Sequence, residues 1–119
     1  MTKERNSKQY DLEDRTFVFA KRVRAYVKKL HKTIANIEDV KQLVKASGSV
    51  GANSIEANEA LSKKDFLLRI KICRKESKES RYWLRLTEPR EEEESERESL
   101  VQESTELMNI FGSILRKSE

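Results

Sequence analysis

Apolar side chains recur along most of this 119-residue chain at steps of three and four residues, the spacing that places them on one side of an α-helix. Only three Gly and one Pro interrupt the pattern, too few for the turns of an all-β domain. Four amphipathic stretches joined by short connections predict an all-α fold, an antiparallel up-down-up-down four-helix bundle. We expect one bundle domain over residues 11–119, preceded by a flexible N-terminal arm over residues 1–10.

Residues with capping or helix-breaking properties mark the predicted helix ends. The first helix is predicted to start near Asp11, and a break at Asn36 leads into the second. Ser62 is the expected N-cap of the third helix, and Pro89 separates it from the fourth. The fourth helix opens with a run of glutamates, which the positive end of its dipole favours.

Two of the predicted helices have well-defined core stripes. That of the third helix includes small residues among larger ones: Phe66, Ile70, Cys73, Ser77, Ser80 and Leu84. That of the first helix is predicted to comprise Ala20, Val23, Val27, Leu30 and Ile34, widened by Phe19 and Tyr26.

The second helix contains an unusual run of small residues from Ala46 to Ser54. A glycine inside a helix costs roughly 1 kcal/mol relative to alanine, so its two glycines require a compensating contact. Close packing against another helix is one explanation, and a loop that binds phosphate is the other. The helical period runs through the segment and no GxxxxGK[ST] pattern occurs, which favours packing.

Charge is unevenly divided along the chain. Residues 1–88 contain 21 Lys and Arg against 12 Asp and Glu, a net of +9, whereas residues 89–119 contain 4 against 9, a net of −5. A basic body is typical of proteins that bind phosphate-bearing partners, although a solvated helical surface gives the same composition. The acidic start of the fourth helix either docks on the basic surface or leaves it free.

The chain offers little for catalysis, redox chemistry or metal binding. It has one histidine, His31, and one cysteine, Cys73, so neither a zinc site nor an internal disulfide is expected. His31 is expected to interact with the end of the first helix, and Cys73 to be a small core residue. We therefore expect no catalytic residues, no cofactor and no metal. No apolar run approaches membrane-spanning length and no signal peptide is evident, so a cytoplasmic protein is expected.

What remains is surface chemistry. Aromatic and aliphatic residues on the third helix lie off its core stripe and indicate a subunit interface, namely Leu68, Tyr82, Trp83 and Leu86. Two basic helical faces are candidates for nucleic-acid binding, one on the first helix and one on the third: Lys21, Lys28 and Lys32, then Lys64, Lys71, Lys75, Lys78 and Arg85.

Residues 49–57, SVGANSIEA, are similar to a Ser-Ile-Pro-Ser-Asn-Ile-Ala-Glu-Gly signature. This signature belongs to a bacterial family of four-helix bundles that includes the 23S rRNA intervening-sequence proteins and the accessory variability determinants of diversity-generating retroelements. Ser49, Asn53 and Glu56 match directly, whereas Gly51 replaces the proline, and Ser54, Ile55 and Ala57 replace Ile, Ala and Gly, as in a divergent branch. The segments at residues 64–66, 77–79 and 82–84 resemble the family's third helix, so the resemblance covers most of the chain.

The resemblance implies an antiparallel four-helix bundle that often forms a homopentameric ring with a basic surface. It also implies that Ser49, Gly51, Asn53 and Glu56 form a structural signature, although Asn53 and Glu56 as functional polar groups are the alternative. Some family members are encoded inside rRNA intervening sequences, and the retroelement members bind nucleic acid and a reverse transcriptase.

Two functions follow as hypotheses. The first is a non-enzymatic, oligomeric accessory protein that binds RNA or a ribonucleoprotein through its basic helical faces. The second is an adaptor that binds a protein partner, such as a reverse transcriptase, through its exposed apolar residues. Binding to a phosphate backbone weakens steeply as salt rises, whereas a mostly apolar contact responds little.

Overall fold

A computed structural model of the chain describes the backbone of residues 3–118 and the side chains of residues 12–118. The helices are α1 (Lys3–Lys29), α2 (Ile34–Asn58), α3 (Lys63–Leu86) and α4 (Glu94–Lys117), with a 3-10 turn at Glu91–Glu93. Neighbouring helices pack in chain order, and α1 also contacts α4 more lightly, so the helices close into the predicted antiparallel four-helix bundle. In this bundle α1 and α3 lie diagonally opposite each other.

The first helix starts earlier than its apolar pattern indicates. α1 begins at Lys3, so the predicted start near Asp11 is wrong. Residues 3–10 contain Lys, Glu, Arg and Gln, which favour a helix, and neither Gly nor Pro. They lack an amphipathic pattern, which is why the sequence prediction placed the start later. The side chains of residues 1–11 lie outside the described part of the chain, and the flexible arm over residues 1–10 stays a prediction.

Thr33, rather than Asn36, marks the start of α2. The Thr33 hydroxyl accepts a hydrogen bond from the backbone N–H of Asn36 at 3.0 Å, as an N-cap does. Ile34, predicted to extend the core stripe of the first helix, is instead the first residue of α2 and is 86% exposed. The predicted break at Asn36 is wrong because the Asn36 side chain makes tertiary hydrogen bonds instead of capping the helix.

The buried amide of Asn36 joins the α1–α2 connection to the α3–α4 connection. Its Nδ2 donates to the carbonyls of His31 at 3.0 Å and Glu88 at 3.1 Å, and its Oδ1 accepts from the Glu88 backbone N–H at 2.8 Å. At the same end of the bundle, the buried Tyr26 hydroxyl lies 2.8 Å from the Thr87 hydroxyl, which donates its own proton to a backbone carbonyl of α3. Two of the three connections between helices are therefore linked through side chains.

The other predicted boundaries are confirmed. Ser62 is the N-cap of α3, and its hydroxyl accepts a hydrogen bond from the Asp65 backbone N–H at 3.0 Å. The Asp65 carboxylate lies 3.9 Å from Arg69 Nε, one turn further along α3. α3 ends at Leu86, ahead of Pro89, and the glutamates that follow form the 3-10 turn and the first turn of α4.

The core combines aromatic and aliphatic side chains with small residues. The predicted stripe of α3 is confirmed, with Phe66 half-buried at its edge. In α1 the stripe is centred on Phe19 and Tyr26, because Ala20 and Val27 are only half-buried. The largest fully buried apolar side chains are Phe19, Tyr26, Phe111, Leu43, Leu84, Leu100 and Leu107.

Close helix packing in the small-residue segment of α2 is confirmed at Gly51. A Cβ at Gly51 would lie 3.3 Å from Thr16 Oγ1 and 3.6 Å from Thr16 Cβ. Thr16 is fully buried, and its hydroxyl is 2.7 Å from the Leu12 carbonyl, so it has little room to move. At Gly48 a Cβ would meet only the end of the Arg24 side chain, at 3.4 Å, which can move aside.

The two glycines should therefore respond oppositely to substitution. We expect Gly51→Leu to lower the free energy of unfolding by about 2 kcal/mol, because the added side chain forces α1 and α2 apart. Gly48→Ala is the matched control, and we expect it to raise that free energy by about 0.5–1 kcal/mol through helix propensity. Urea denaturation followed by circular dichroism measures both. Equal midpoints for Gly51→Leu and the wild type would contradict the packing of α1 against α2 at this position.

Candidate nucleic-acid interface

The outward side of α3 presents a continuous stripe of mostly basic side chains. Its members follow one another at steps of three and four residues, which places them on one face of the helix. The stripe is about 30 Å long at the rise of an α-helix. All of its members are exposed, and we call them the basic face: Lys64, Leu68, Lys71, Lys75, Lys78, Tyr82 and Arg85.

Small residues on the opposite side of α3 keep the basic face in solvent. Cys73, Ser77 and Ser80 are fully buried, which brings α3 close to its neighbours. The hydroxyls of Ser77 and Ser80 donate hydrogen bonds of 2.8 Å to backbone carbonyls one turn earlier, so their burial leaves neither donor unsatisfied. The lysines of the basic face therefore lie on the outer side of α3.

The cations of the basic face have almost no carboxylate partners. Within residues 12–118, the one ion pair of this face joins Lys75 to the adjacent Glu76, at 4.0 Å. The Glu76 side chain is only 18% exposed, and burial, followed by repulsion from Glu79, raises the pKa of Glu76. Unpaired lysines in solvent are suited to binding an anion, because no internal salt bridge has to break first.

Three glutamates of α4, Glu96, Glu103 and Glu106, pair with arginines of α1 and not with the basic face. Arg15 lies 2.7 Å from both Glu103 and Glu106, and Arg22 Nε lies 3.4 Å from Glu96. The hydrogen bond to Glu103 holds the pKa of Arg15 above its ordinary value. No ion pair of α4 within residues 12–118 reaches the basic face, so in this structure the acidic helix leaves that face free.

Three shallow cavities follow the basic face from one end to the other. The first, of about 470 Å³, lies beside Lys64 and Leu68. The second, of about 350 Å³, runs between α3 and α4 from Lys71 to Leu115. The third has a volume of about 400 Å³ and is lined by Lys75, Lys78, Glu79, Tyr82 and Trp83.

The residues predicted to form a subunit interface differ in exposure. Tyr82 is 57% exposed, Leu68 54% and Leu86 45%, as expected for surface groups. Trp83 is instead half-buried and packs against the core. Its ring makes a T-shaped contact with the Tyr82 ring, with the two ring centroids 4.9 Å apart. The shielded Nε1 of Trp83 has no hydrogen-bond partner within residues 12–118. Because Leu68 and Tyr82 belong to the basic face, a second subunit and a nucleic acid would compete for the same surface.

The lysines predicted on the first helix do not join the basic face. Lys21, Lys28 and Lys32 are exposed, but α1 lies diagonally opposite α3. Lys28 and Lys32 border a separate cavity of about 500 Å³ whose apolar lining includes Val27 and Val40. Lys21 Nζ lies 5.7 Å from the centre of the Phe17 ring. The two predicted basic sets are therefore separate surfaces within one chain.

Sequence comparison assigns the chain to a family. The sequence profile of the 23S rRNA-intervening sequence protein family matches residues 8–113. The chain belongs to this family. No curated protein matches it significantly.

A solved structure has the same fold as this chain. It is the crystal structure of a protein of unknown function from the S23 ribosomal protein family of Bacteroides thetaiotaomicron, with 28% sequence identity and a TM-score of 0.74. The similarity covers 92% of this chain and 98% of that one. The four-helix bundle is thus shared over nearly the whole of both proteins.

The segment that resembles the family signature links α2 to its neighbours. Asn53 Nδ2 donates to the carbonyl of Ser49 at 2.9 Å and to its hydroxyl at 3.1 Å, and Asn53 Oδ1 accepts from Arg69 of α3 at 3.1 Å. Asn53 thus connects α2 to α3, whereas Gly51 allows α1 to pack closely against α2. Glu56 is exposed and makes no hydrogen bond to Asn53. Asn53 therefore has a structural role between helices, because α3 is close enough for the Arg69 guanidinium to reach the amide.

Arg74 and Glu79 line the basic face but were not predicted as site residues. Arg74 borders the second cavity with Lys71 and Lys78, and Glu79 borders the third with Tyr82. The spacing of Arg74 from Lys71 and Lys78 was a usable signal, since these positions are helical neighbours. Glu79 was not indicated by the sequence, because an acidic residue is not expected on a surface that binds phosphates.

The structure also locates the reactive side chains of the chain. His31 Nδ1 is shielded and makes no hydrogen bond within residues 12–118, and the expected interaction of the imidazole with the end of α1 stays a prediction. Cys73 is buried as predicted, with Sγ 3.5 Å from the Val50 carbonyl, and burial raises the pKa of its thiol to about 12.

No group of three or more metal-ligating side chains occurs in the described part of the chain. Among the described helices, none is sufficiently long and apolar to cross a membrane.

The buried thiol should be inert until the bundle opens. We expect native protein at pH 8 to react with a thiol reagent far more slowly than protein in concentrated urea, because Cys73 is protonated and shielded. Since its pKa is raised by folding, its contribution to stability is full below about pH 8.5 and declines as the pH rises towards 12. Absorbance of the released thiolate reports the reaction, and Cys73→Ala gives the background. Equal rates in native and unfolded protein would contradict this burial.

Proposed function

We propose that this protein is a non-enzymatic RNA-binding accessory protein of the cytoplasm, which contacts RNA or a ribonucleoprotein through the basic face of α3. The observation that carries the proposal is a row of exposed cations that have one carboxylate within ion-pair distance among residues 12–118. Each cation that replaces condensed counterions on a phosphate releases those counterions into solution, which drives binding. Contacts of this kind depend on the backbone and vary little with sequence.

Three further observations support RNA as the partner. Glu96, Glu103 and Glu106 of α4 are engaged with Arg22 and Arg15, so they do not compete with a polyanion for the basic face. Tyr82 is exposed among the lysines, where its ring is accessible for stacking on an unpaired base. The family name refers to an intervening sequence of 23S rRNA.

Neutralising part of the basic face should weaken binding in a salt-dependent way. We expect the combined change Lys71→Gln, Lys75→Gln and Lys78→Gln to reduce the slope of log Kobs against log salt by about 2, because each phosphate contact on a single strand contributes about 0.7. Fluorescence anisotropy with single-stranded RNA at several salt concentrations gives the slope. The thermal midpoint of the variant should stay close to that of the wild type, since these side chains are exposed.

Lys21 and Lys28 of α1, with Lys32 in the connection to α2, provide a matched control. The combined change Lys21→Gln, Lys28→Gln and Lys32→Gln removes the same charge from a surface diagonal to the basic face. We expect this variant to keep most of the wild-type slope. Equal losses in the two triple variants would show that overall charge, rather than the basic face, governs binding. Unchanged affinity of the α3 variant at low salt would remove those lysines from the site.

Self-association, including the pentamer, is a second proposal, and the exposure of Leu68 and Leu86 favours it. Apolar groups at the surface of one chain are suited to contact a second copy or a protein partner such as a reverse transcriptase. Multi-angle light scattering of the wild type and of Leu68→Glu tests this contact. A smaller assembly for the variant supports an interface at Leu68, and a monomeric wild type overturns self-association.

A further inference from the structure

The third cavity of the basic face contains a negative charge where the rest of the face is positive. Glu79 is exposed and borders this cavity between Lys75, Lys78 and Tyr82. It makes no ion pair within residues 12–118, although two lysines border the same cavity. A free carboxylate on a phosphate-binding surface opposes binding of the backbone, so a phosphate contact alone does not account for it.

The other groups of this cavity are suited to contact an unpaired base. Tyr82 is 57% exposed, and the edge contact with the half-buried Trp83 restricts rotation of its ring. An exposed aromatic ring next to lysines stacks on unpaired bases while the cations contact the flanking phosphates. Glu79 and Tyr82 are three residues apart on one helical face, so a base stacked on the ring would have its edge towards the carboxylate.

The chemistry of a carboxylate selects among the four bases. An ionised Glu has two oxygens that accept hydrogen bonds and no donor. The Watson–Crick edge of guanine offers two adjacent donors, N1–H and the N2 amino group, which match the two oxygens as a bidentate pair. Adenine and cytosine each offer a single amino group there, and uracil offers only N3–H. A guanine in a duplex is excluded because its pairing partner already uses both donors.

We propose that the cavity at Glu79 and Tyr82 is a binding site for an unpaired guanine of single-stranded RNA, with the base stacked on Tyr82 and its N1–H and N2 amino group donating to Glu79. Lys75 and Lys78 contact the phosphates on either side of it. This inference rests on the proposed RNA-binding function and adds base selectivity to a surface that otherwise reads only the backbone. The site prefers loops, bulges and strand ends that expose guanine.

The test uses the full chain and nine-nucleotide RNAs of uridine whose central base is G, A, C or inosine, measured by fluorescence anisotropy. We expect the G strand to bind about tenfold more tightly than the A strand, as for a good bidentate pair. Inosine lacks the N2 amino group and keeps N1–H, so its strand should fall between the two. A duplex of the same G strand should show no preference over a duplex that contains A.

Two variants and a control separate the contacts. Glu79→Gln should bring the G, inosine and A strands to within about twofold of one another, without weakening binding of the A strand, since a negative charge is removed. Tyr82→Ala should weaken all single strands by about tenfold through loss of stacking and leave duplex binding unchanged. Glu92→Gln removes an exposed carboxylate of the 3-10 turn and should change neither property.

The outcomes distinguish the two proposals. Equal affinity for all four strands, with binding that still depends on the basic-face lysines, overturns the guanine site and leaves RNA binding intact. A uniform loss for every strand in Glu79→Gln also overturns it, because Glu79 would then act through the structure of the face. Absence of binding to any strand at low salt overturns the proposed function itself.

Discussion

The bundle depends on small side chains where its helices meet. Gly51 lets Thr16 approach within van der Waals distance of α2, and Cys73, Ser77 and Ser80 bring α3 close to its neighbours. Because interiors are packed as densely as organic crystals, narrow contacts of this kind leave no room for long side chains beside Cys73, Ser77 and Ser80. Ile70 and Leu84 complete the inner side of α3, and the lysines of the basic face lie on its outer side. The exposure of the basic face thus depends on small residues on the opposite side of the helix.

Arginine and lysine have different roles in this structure. Arg15, Arg22 and Arg69 make hydrogen bonds or ion pairs that join one helix to another, for which the planar guanidinium is well suited. Within residues 12–118 the lysines of the basic face make one ion pair, between Lys75 and Glu76. Glu96, Glu103 and Glu106 are thus paired with α1 inside the molecule, whereas the lysines of α3 remain exposed. Net charge alone does not reveal this division.

The sequence predicts the fold well and the site in part. Helix number, the capping role of Ser62 and the buried stripe of α3 follow from local patterns of spacing and capping, and all are confirmed. Asn36 was misassigned as a helix break because its partners are backbone groups remote in sequence, which no local pattern encodes. The separation of the two basic sets could not be predicted from the sequence, because it depends on the order of the helices around the bundle. Glu79 could not be predicted as a site residue, because only the structure shows that the neighbouring lysines do not pair with it within residues 12–118.

The Asn36 amide divides the bundle into unequal ends. It fastens two of the connections to each other, whereas the third, between α2 and α3, includes Leu61, which is 97% exposed. Because these hydrogen bonds join the two connections, neither connection can open alone without breaking them, so the two should open together. The backbone N–H of Glu88, which donates to Asn36, should then exchange with deuterium at the rate of that joint opening. One amide side chain thus couples the motions of two segments that are 52 residues apart in sequence.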